Sequence, residues 1–192
     1  MRRPVVAVVV GVVLAATLAI GSPAQAEWDG GRPGAVAGRA AASAARAAAA
    51  LPDPATCPAT LRGAVIDRQG QRAWLCEVGA IVRVMPITSA GDQPDPGIYE
   101  VYAEDLWTTS YYGPQPSTLD HFVAFARGKY EGARIGFHAV PRYADGTLAQ
   151  SPESVGTPQQ FGGSSGCIRL RAEDAAAVYD FLAVGHQVHV IS

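Results

Sequence analysis

From residue 63 to residue 140 the chain offers one short β-prone run after another, and this succession limits the fold more than any other feature. GAVIDR (63–68), QRAWLCEV (71–78) and IVRVMPIT (81–88) come first, and Gly79-Ala80 predicts a tight hairpin between the last two. Strand period places Trp74, Cys76 and Val78 on one face. GDQPDPG (91–97) is a turn cluster. IYEVYAED (98–105), the aromatic LWTTSYYG (106–113), HFVAF (121–125) and ARIGFHAV (133–140) resume the strand pattern. A polar passage rich in Gly, Pro and Ser occupies 141–163. One stretch, AEDAAAVYDFLAVG (172–185), sets Ala176, Val178, Tyr179 and Leu182 at helical spacing. Glu173 and Asp174 fall in its first turn, where they favour the helix dipole, and Gly185 is a natural stop. QVHVIS (187–192) reads as a closing strand. The expectation is a mainly β domain, a β-sandwich or barrel-like structure with one helix, rather than a series of βαβ units.

The N-terminus reads as an export signal. Arg2-Arg3 precede an apolar run from Val5 to Gly21, and Ala24-Gln25-Ala26 is an A-x-A cleavage site, so residues 1–26 are expected to be removed and the mature chain to begin at Glu27. No later run is long and apolar enough to span a bilayer. Residues 27–59 form an Ala/Gly/Pro-rich linker, whose AVAGRAAASAARAAAA (35–50) has high helix propensity but no large apolar face to pack. The remaining residues, 60–192, suffice for one domain with a real core. The whole chain carries a formal charge of −2, and loss of Arg2 and Arg3 makes it more negative; Lys129 is the only lysine. Such a chain has no electrostatic footprint for nucleic acid and little attraction to an acidic membrane surface.

Cysteine count then directs attention to the C-terminal third. There are 3 cysteines, an odd number for an exported chain. Cys57 and Cys76 lie close in sequence and are expected to pair as a staple in an oxidising compartment, which leaves Cys167 free. The alternative makes Cys167 a buried apolar residue or a disulfide partner. A nucleophilic thiol needs access, a base and donors for the oxyanion it creates. In GGSSGCIRL (162–170) the small residues Ser164, Ser165 and Gly166 give access, and backbone N–H groups from Ser165 to Cys167 are placed to form an oxyanion hole. Of the 4 histidines, His138 is the candidate base. Strand alternation puts Ile135 and Phe137 toward the core and Gly136 and His138 on the other face, with the imidazole clear of the core and the glycine leaving room for substrate. The Ala139 carbonyl or a nearby group would fix its tautomer. His186 and His189 suit capping or solvated roles. Cysteines and histidines show no metal-ligand spacing, and no cofactor is implied.

IGFHAV followed by GGSSGCIRL resembles the H…[S/T]-x-G-C-[I/V]-R-[L/M] pattern of L,D-transpeptidases with a YkuD-type catalytic domain. The downstream RAEDAAAVYDFLAVGHQVHVI is similar to the helix and strand of that family, and PDPGIYEVY stands where the family has its P-T-P-x-G turn. Two positions depart from the pattern: Ser165 replaces a common histidine, and Asp95 replaces the turn threonine. The resemblance implies a Cys167 acyl-enzyme formed on peptidoglycan stem tetrapeptides with His138 as base. Release of D-alanine would be followed by a 3→3 crosslink or by hydrolysis, the latter a carboxypeptidase side activity. It implies Arg169 and Ser164 as substrate-side residues, carbapenem-type β-lactams as inhibitors, and a monomer secreted to the cell wall. Two rival readings remain. A sortase-like transpeptidase fits less well, because the strand end that usually precedes its cysteine is absent. A non-catalytic wall-binding or inhibitory domain would keep the fold without the activity. Trp107, Tyr111 and Tyr112 are expected either to line a substrate groove or to pack as strand residues.

Overall fold

The computed structural model of the chain describes Asp53 and residues 56–192. The proposed signal and the alanine-rich stretch lie outside the described residues. Among the described residues ten strands and one α-helix follow in order: β1 (Arg62–Asp67), β2 (Arg72–Glu77), β3 (Ala80–Pro86), β4 (Gly97–Glu100), β5 (Ala103–Ser110), β6 (Ser117–Arg127), β7 (Arg134–Ala139), β8 (Arg142–Tyr143), β9 (Ile168–Leu170), α1 (Ala172–Phe181) and β10 (Gln187–Val190). They build two sheets. The first runs β3-β2-β1-β10-β4 and the second β5-β6-β7-β9, with β8 on β6. The mainly β architecture with one helix is the one expected from the sequence.

Period-2 patterning explains most of the core. Ala64 and Ile66 of β1, Leu75 of β2, Phe125 of β6, Phe137 of β7, Ile168 of β9 and Val188 of β10 meet in one apolar cluster. α1 packs on β6 and β7. Its buried residues are Asp174, Ala175 and Val178, and Leu182 at its C-cap is also buried. The buried stripe therefore passes through Ala175 where the spacing predicts Ala176. Asp174, expected simply to face the helix dipole, accepts a hydrogen bond from the Arg83 guanidinium at 2.7 Å and ties α1 to β3.

Two local expectations are corrected, and two further segments take their places. The β2–β3 turn is Val78-Gly79, with φ of 51° and 74°, and not Gly79-Ala80. Glu77 pairs with Ala80 across it. Two consecutive positive φ values match the right-handed twist of the flanking strands, so Val78 is spent on the turn and is exposed, off the Trp74–Cys76 face. The run IYEVYAED splits between the two sheets. Val101 exchanges hydrogen bonds with Gly185 and His186, on the side of the first sheet, while the Tyr102 N–H donates to the Ala124 carbonyl of the second. The closing strand expected at 187–192 is β10, and it lies parallel to β1 and antiparallel to β4, between them. Finally, the 141–163 passage carries short helical turns at Pro152–Ser154 and Pro158–Gln160. It packs against 86–89, with the Gly162 N–H donating to Ser89 O (3.0 Å) and the Gln150 amide to Thr88 Oγ1 (2.9 Å).

Candidate active site

β7 and β9 pair in parallel, with His138 opposite Arg169 and Phe137 opposite Ile168. Alternation puts Gly136 and His138 of β7 on the same face as Cys167 and Arg169 around β9. All but Gly136 line a cleft of about 260 Å³, together with Ser164, Ser165, Gly166 and Gln93. Thus the six residues expected from the sequence to carry chemistry or bind substrate are brought to one place. Cys57 and Cys76 lie elsewhere and are joined by a disulfide with a Cα–Cα distance of 5.7 Å; Cys167 is a free thiol.

The surroundings of His138 differ from expectation. The imidazole is 2% exposed, not clear of the core. Its ring stacks on Phe122 of β6, centroid to centroid 6.1 Å. A second apolar cluster of Leu119, Phe122 and Ala124 covers this face of the sheet, and Cys167 packs against it. Gly136 does not leave room for substrate either. The β6 register shifts between Ala124 and Ala126, and a Cβ on Gly136 would sit 2.8 Å from the Val123 carbonyl carbon. Glycine is there because β6 backbone fills the space.

Nδ1 of His138 lies 2.5 Å from the Ala139 carbonyl oxygen, so Nδ1 carries the proton and Nε2 is left as the basic nitrogen. Burial lowers the imidazole pKa to about 4, opposed by the Ala139 hydrogen bond and reinforced by the Arg169 charge. Burial likewise pushes the Cys167 thiol up, against a Gly136 backbone hydrogen bond and the charges of Arg169 and Arg134. The Cys167 S–H donates to the Arg134 carbonyl at 3.6 Å. Both shifts favour the neutral thiol and the neutral imidazole over a thiolate–imidazolium pair.

Arg169 is half-buried. Its backbone exchanges two hydrogen bonds with Thr88, at 2.9 Å each, and its guanidinium donates to Gln150 Oε1 at 3.2 Å. No carboxylate among the described residues forms an ion pair with it, although six other basic side chains have one. The 141–163 passage thus reaches the site through the contact of Gln150 with Arg169. Ser164 is buried and its Oγ accepts from the Gly166 N–H at 3.3 Å. The Ser165 and Cys167 N–H groups have no acceptor among the described residues. His186 caps the turn after α1, its Nδ1 accepting from the Ala183 N–H at 3.0 Å.

Sequence reasoning missed Gln93, Arg134 and Phe122. Gln93 sits in a turn cluster and contacts a loop 72 residues away. Arg134 contributes its carbonyl to Cys167, while its guanidinium reaches Asp105 at 2.6 Å and Thr108 at 3.0 Å. No local pattern marks such partners. Tyr111 and Tyr112 line the cleft mouth, while Trp107 is exposed on β5 outside it.

A domain of two sheets and one helix, presenting a thiol and a tautomerically fixed histidine from paired strands, belongs to the cysteine–histidine class of sites. The family model of the L,D-transpeptidase (YkuD) catalytic domain matches residues 62–190, and the chain belongs to that family. Among solved structures, the fold is shared with an L,D-transpeptidase from Stackebrandtia nassauensis (21% identity, 78% of this chain, 64% of that one, TM-score 0.55). It is also shared with an L,D-transpeptidase from Mycobacterium smegmatis (22% identity, 69% and 59%, TM-score 0.50). A third is an L,D-transpeptidase solved in complex with imipenem (17% identity, 68% and 59%, TM-score 0.50). The chain spans less than two thirds of the length of each of these relatives. Comparison with curated proteins finds no match. Among the described residues no group of three or more His, Cys, Asp or Glu could hold a metal ion, and no helix is long and apolar enough to cross a membrane.

Proposed function

We propose that the protein is an exported cysteine L,D-transpeptidase acting on peptidoglycan stem tetrapeptides. The observation that carries this reading is the joint lining of one cleft by Cys167, His138 and a half-buried Arg169 with no carboxylate partner among the described residues. Cys167 Sγ attacks the carbonyl that joins the diamino acid to the terminal D-alanine, while His138 Nε2 takes the thiol proton. The N–H groups of Ser165 and Cys167 are the unpaired donors available to the oxyanion, joined by Gly166 if Ser164 releases it. The tetrahedral carbon collapses, the carbon–nitrogen bond breaks, and His138 returns the proton to the departing amine. Arg169 pairs with a substrate carboxylate. A neighbouring stem amine then attacks the thioester and gives its proton to His138, which passes it to the leaving sulfur; water in place of the amine gives the carboxypeptidase reaction.

Cleavage of signal residues 1–26 after Ala26, a linker at 27–59 and a catalytic domain at 60–192 belong to the same proposal, as does a monomeric protein in the cell wall. The Cys57–Cys76 disulfide supports an oxidising compartment. The test is the intact mass of the protein after incubation with imipenem, a carbapenem, beside Cys167→Ala. One adduct on the wild type and none on the variant is the expected result. No adduct on a reduced wild-type thiol sinks the reading and leaves a wall-binding or inhibitory domain that keeps the fold.

A further inference from the structure

Gln93 is 3% exposed and uses both ends of its side-chain amide. Oε1 accepts from the Lys129 N–H at 2.8 Å, which fixes the amide orientation, because a backbone N–H can only donate. Nε2 then faces the Ser165 carbonyl and donates to it. The anchor is itself held. Lys129 Nζ donates to Asp92 O at 2.7 Å and pairs with Asp95 at 2.9 Å, and Tyr130 Oη donates to Asp92 Oδ2 at 2.9 Å. A chain of contacts therefore runs from the β6–β7 loop through Gln93 to the Ser165–Gly166 peptide, one plane before the nucleophile's own.

That peptide has a reason to need holding. In a trans peptide the C=O and the following N–H point in opposite directions. Grip on the Ser165 carbonyl thus sets the direction of the Gly166 N–H, which points to Ser164 Oγ on the cleft wall. Gly166 has φ 149°, in a region open to glycine, where a peptide plane rotates at low cost. A Cβ there would lie 2.9 Å from Gln93 Nε2, so the glutamine amide occupies the space that a side chain would take.

We infer that Gln93 is a positioning residue whose amide locks the Ser165–Gly166 peptide plane, the hinge between the two planes that carry the Ser165 and Cys167 N–H donors proposed for the oxyanion. The inference rests on the acyl-transfer reading of the site. Gln93 touches no reacting atom; it acts through the loop.

The experiment compares two chemistries of the same sulfur in the wild type, Gln93→Met and Gln93→Asn. Methionine keeps the volume without a donor, and asparagine keeps the amide one methylene short. Acylation by imipenem develops an oxyanion, whereas alkylation by iodoacetamide does not. Both variants are expected to lose about tenfold or more in acylation rate, with alkylation at the same pH within about twofold of wild type and thermal melting still cooperative. Unchanged acylation in either folded variant overturns the inference. So does an equal loss of both reactions, which would mean that Gln93 supports the fold or the thiol and not the donors. A wild type that alkylates but does not acylate is a different failure: it removes the acyl-transfer reading itself, and the inference falls with it.

Discussion

Burial of His138 makes the acid stability of this protein a direct readout of its site. The imidazole titrates at about 4 in the folded chain and near 6.5 when free of it. Between those values the unfolded state binds a proton that the folded state refuses. The stabilisation tied to a neutral His138 is complete above pH 6.5, declines as pH falls, and is fully lost below about 4. From pH 7 to pH 4.5 the loss is roughly 2 kcal/mol, a large part of the stability of an ordinary domain. Urea unfolding of wild type and His138→Gln at both pH values isolates it, because carboxylates titrate in both proteins and cancel. The wild type should lose roughly 2 kcal/mol more than the variant over this interval. Equal losses would refute the reasoning, and would mean that water reaches the ring in spite of Phe122. The acylation rate reports the same group: His138 is already a neutral base at pH 5, so the acid limb should fall near 4 and not near 6.5.

Gly136→Ala should cost about 1–3 kcal/mol in denaturant unfolding, because the new methyl meets the Val123 carbonyl rather than a movable side chain. Melting within a degree of wild type would show that β6 yields there. Cys57→Ser with Cys76→Ser opens a loop of sequence separation 19 and should cost about 3 kcal/mol by the chain-entropy relation. The imipenem adduct should survive at permissive temperature, since the disulfide lies away from the cleft; its loss would place the staple in the site's support.

Much of the fold is legible in the sequence because each strand carries its own pattern, and the order of runs is the order of strands. The sheet each strand joins is less legible. β4 and β5 read as one run, since Val101 and Tyr102 have strand propensity and only their partners, His186 and Ala124, reveal that the chain changes sheets. The site follows the same division. Cys167 and His138 stand out from residue type, motif and period. Period says which face His138 takes but not what covers that face, so the stacked Phe122 and the preference for a neutral pair come from the structure. Gln93 is invisible for a simpler reason: its meaning depends on two amides, at Lys129 and Ser165, that no local pattern connects to it.

The place of β10 bears on how the chain acquires its fold. Val65 pairs with His189 at 124 residues' distance along the chain, as Arg68 and Ser192 do through a side-chain hydrogen bond, and Ile98 takes the other side of His189. Until Gln187–Val190 is in place, the β1–β3 meander and β4 have no strand between them and belong to separate pieces. Such long-range closure raises contact order and slows the final step of folding. The loop before β9 and the strand β9 lie upstream of that step, but α1 and β10 complete the wall behind them. On this topology β6 and β7, which flank the nucleophile, precede Cys167 in the chain, while the strand that joins β1 to β4 comes after it.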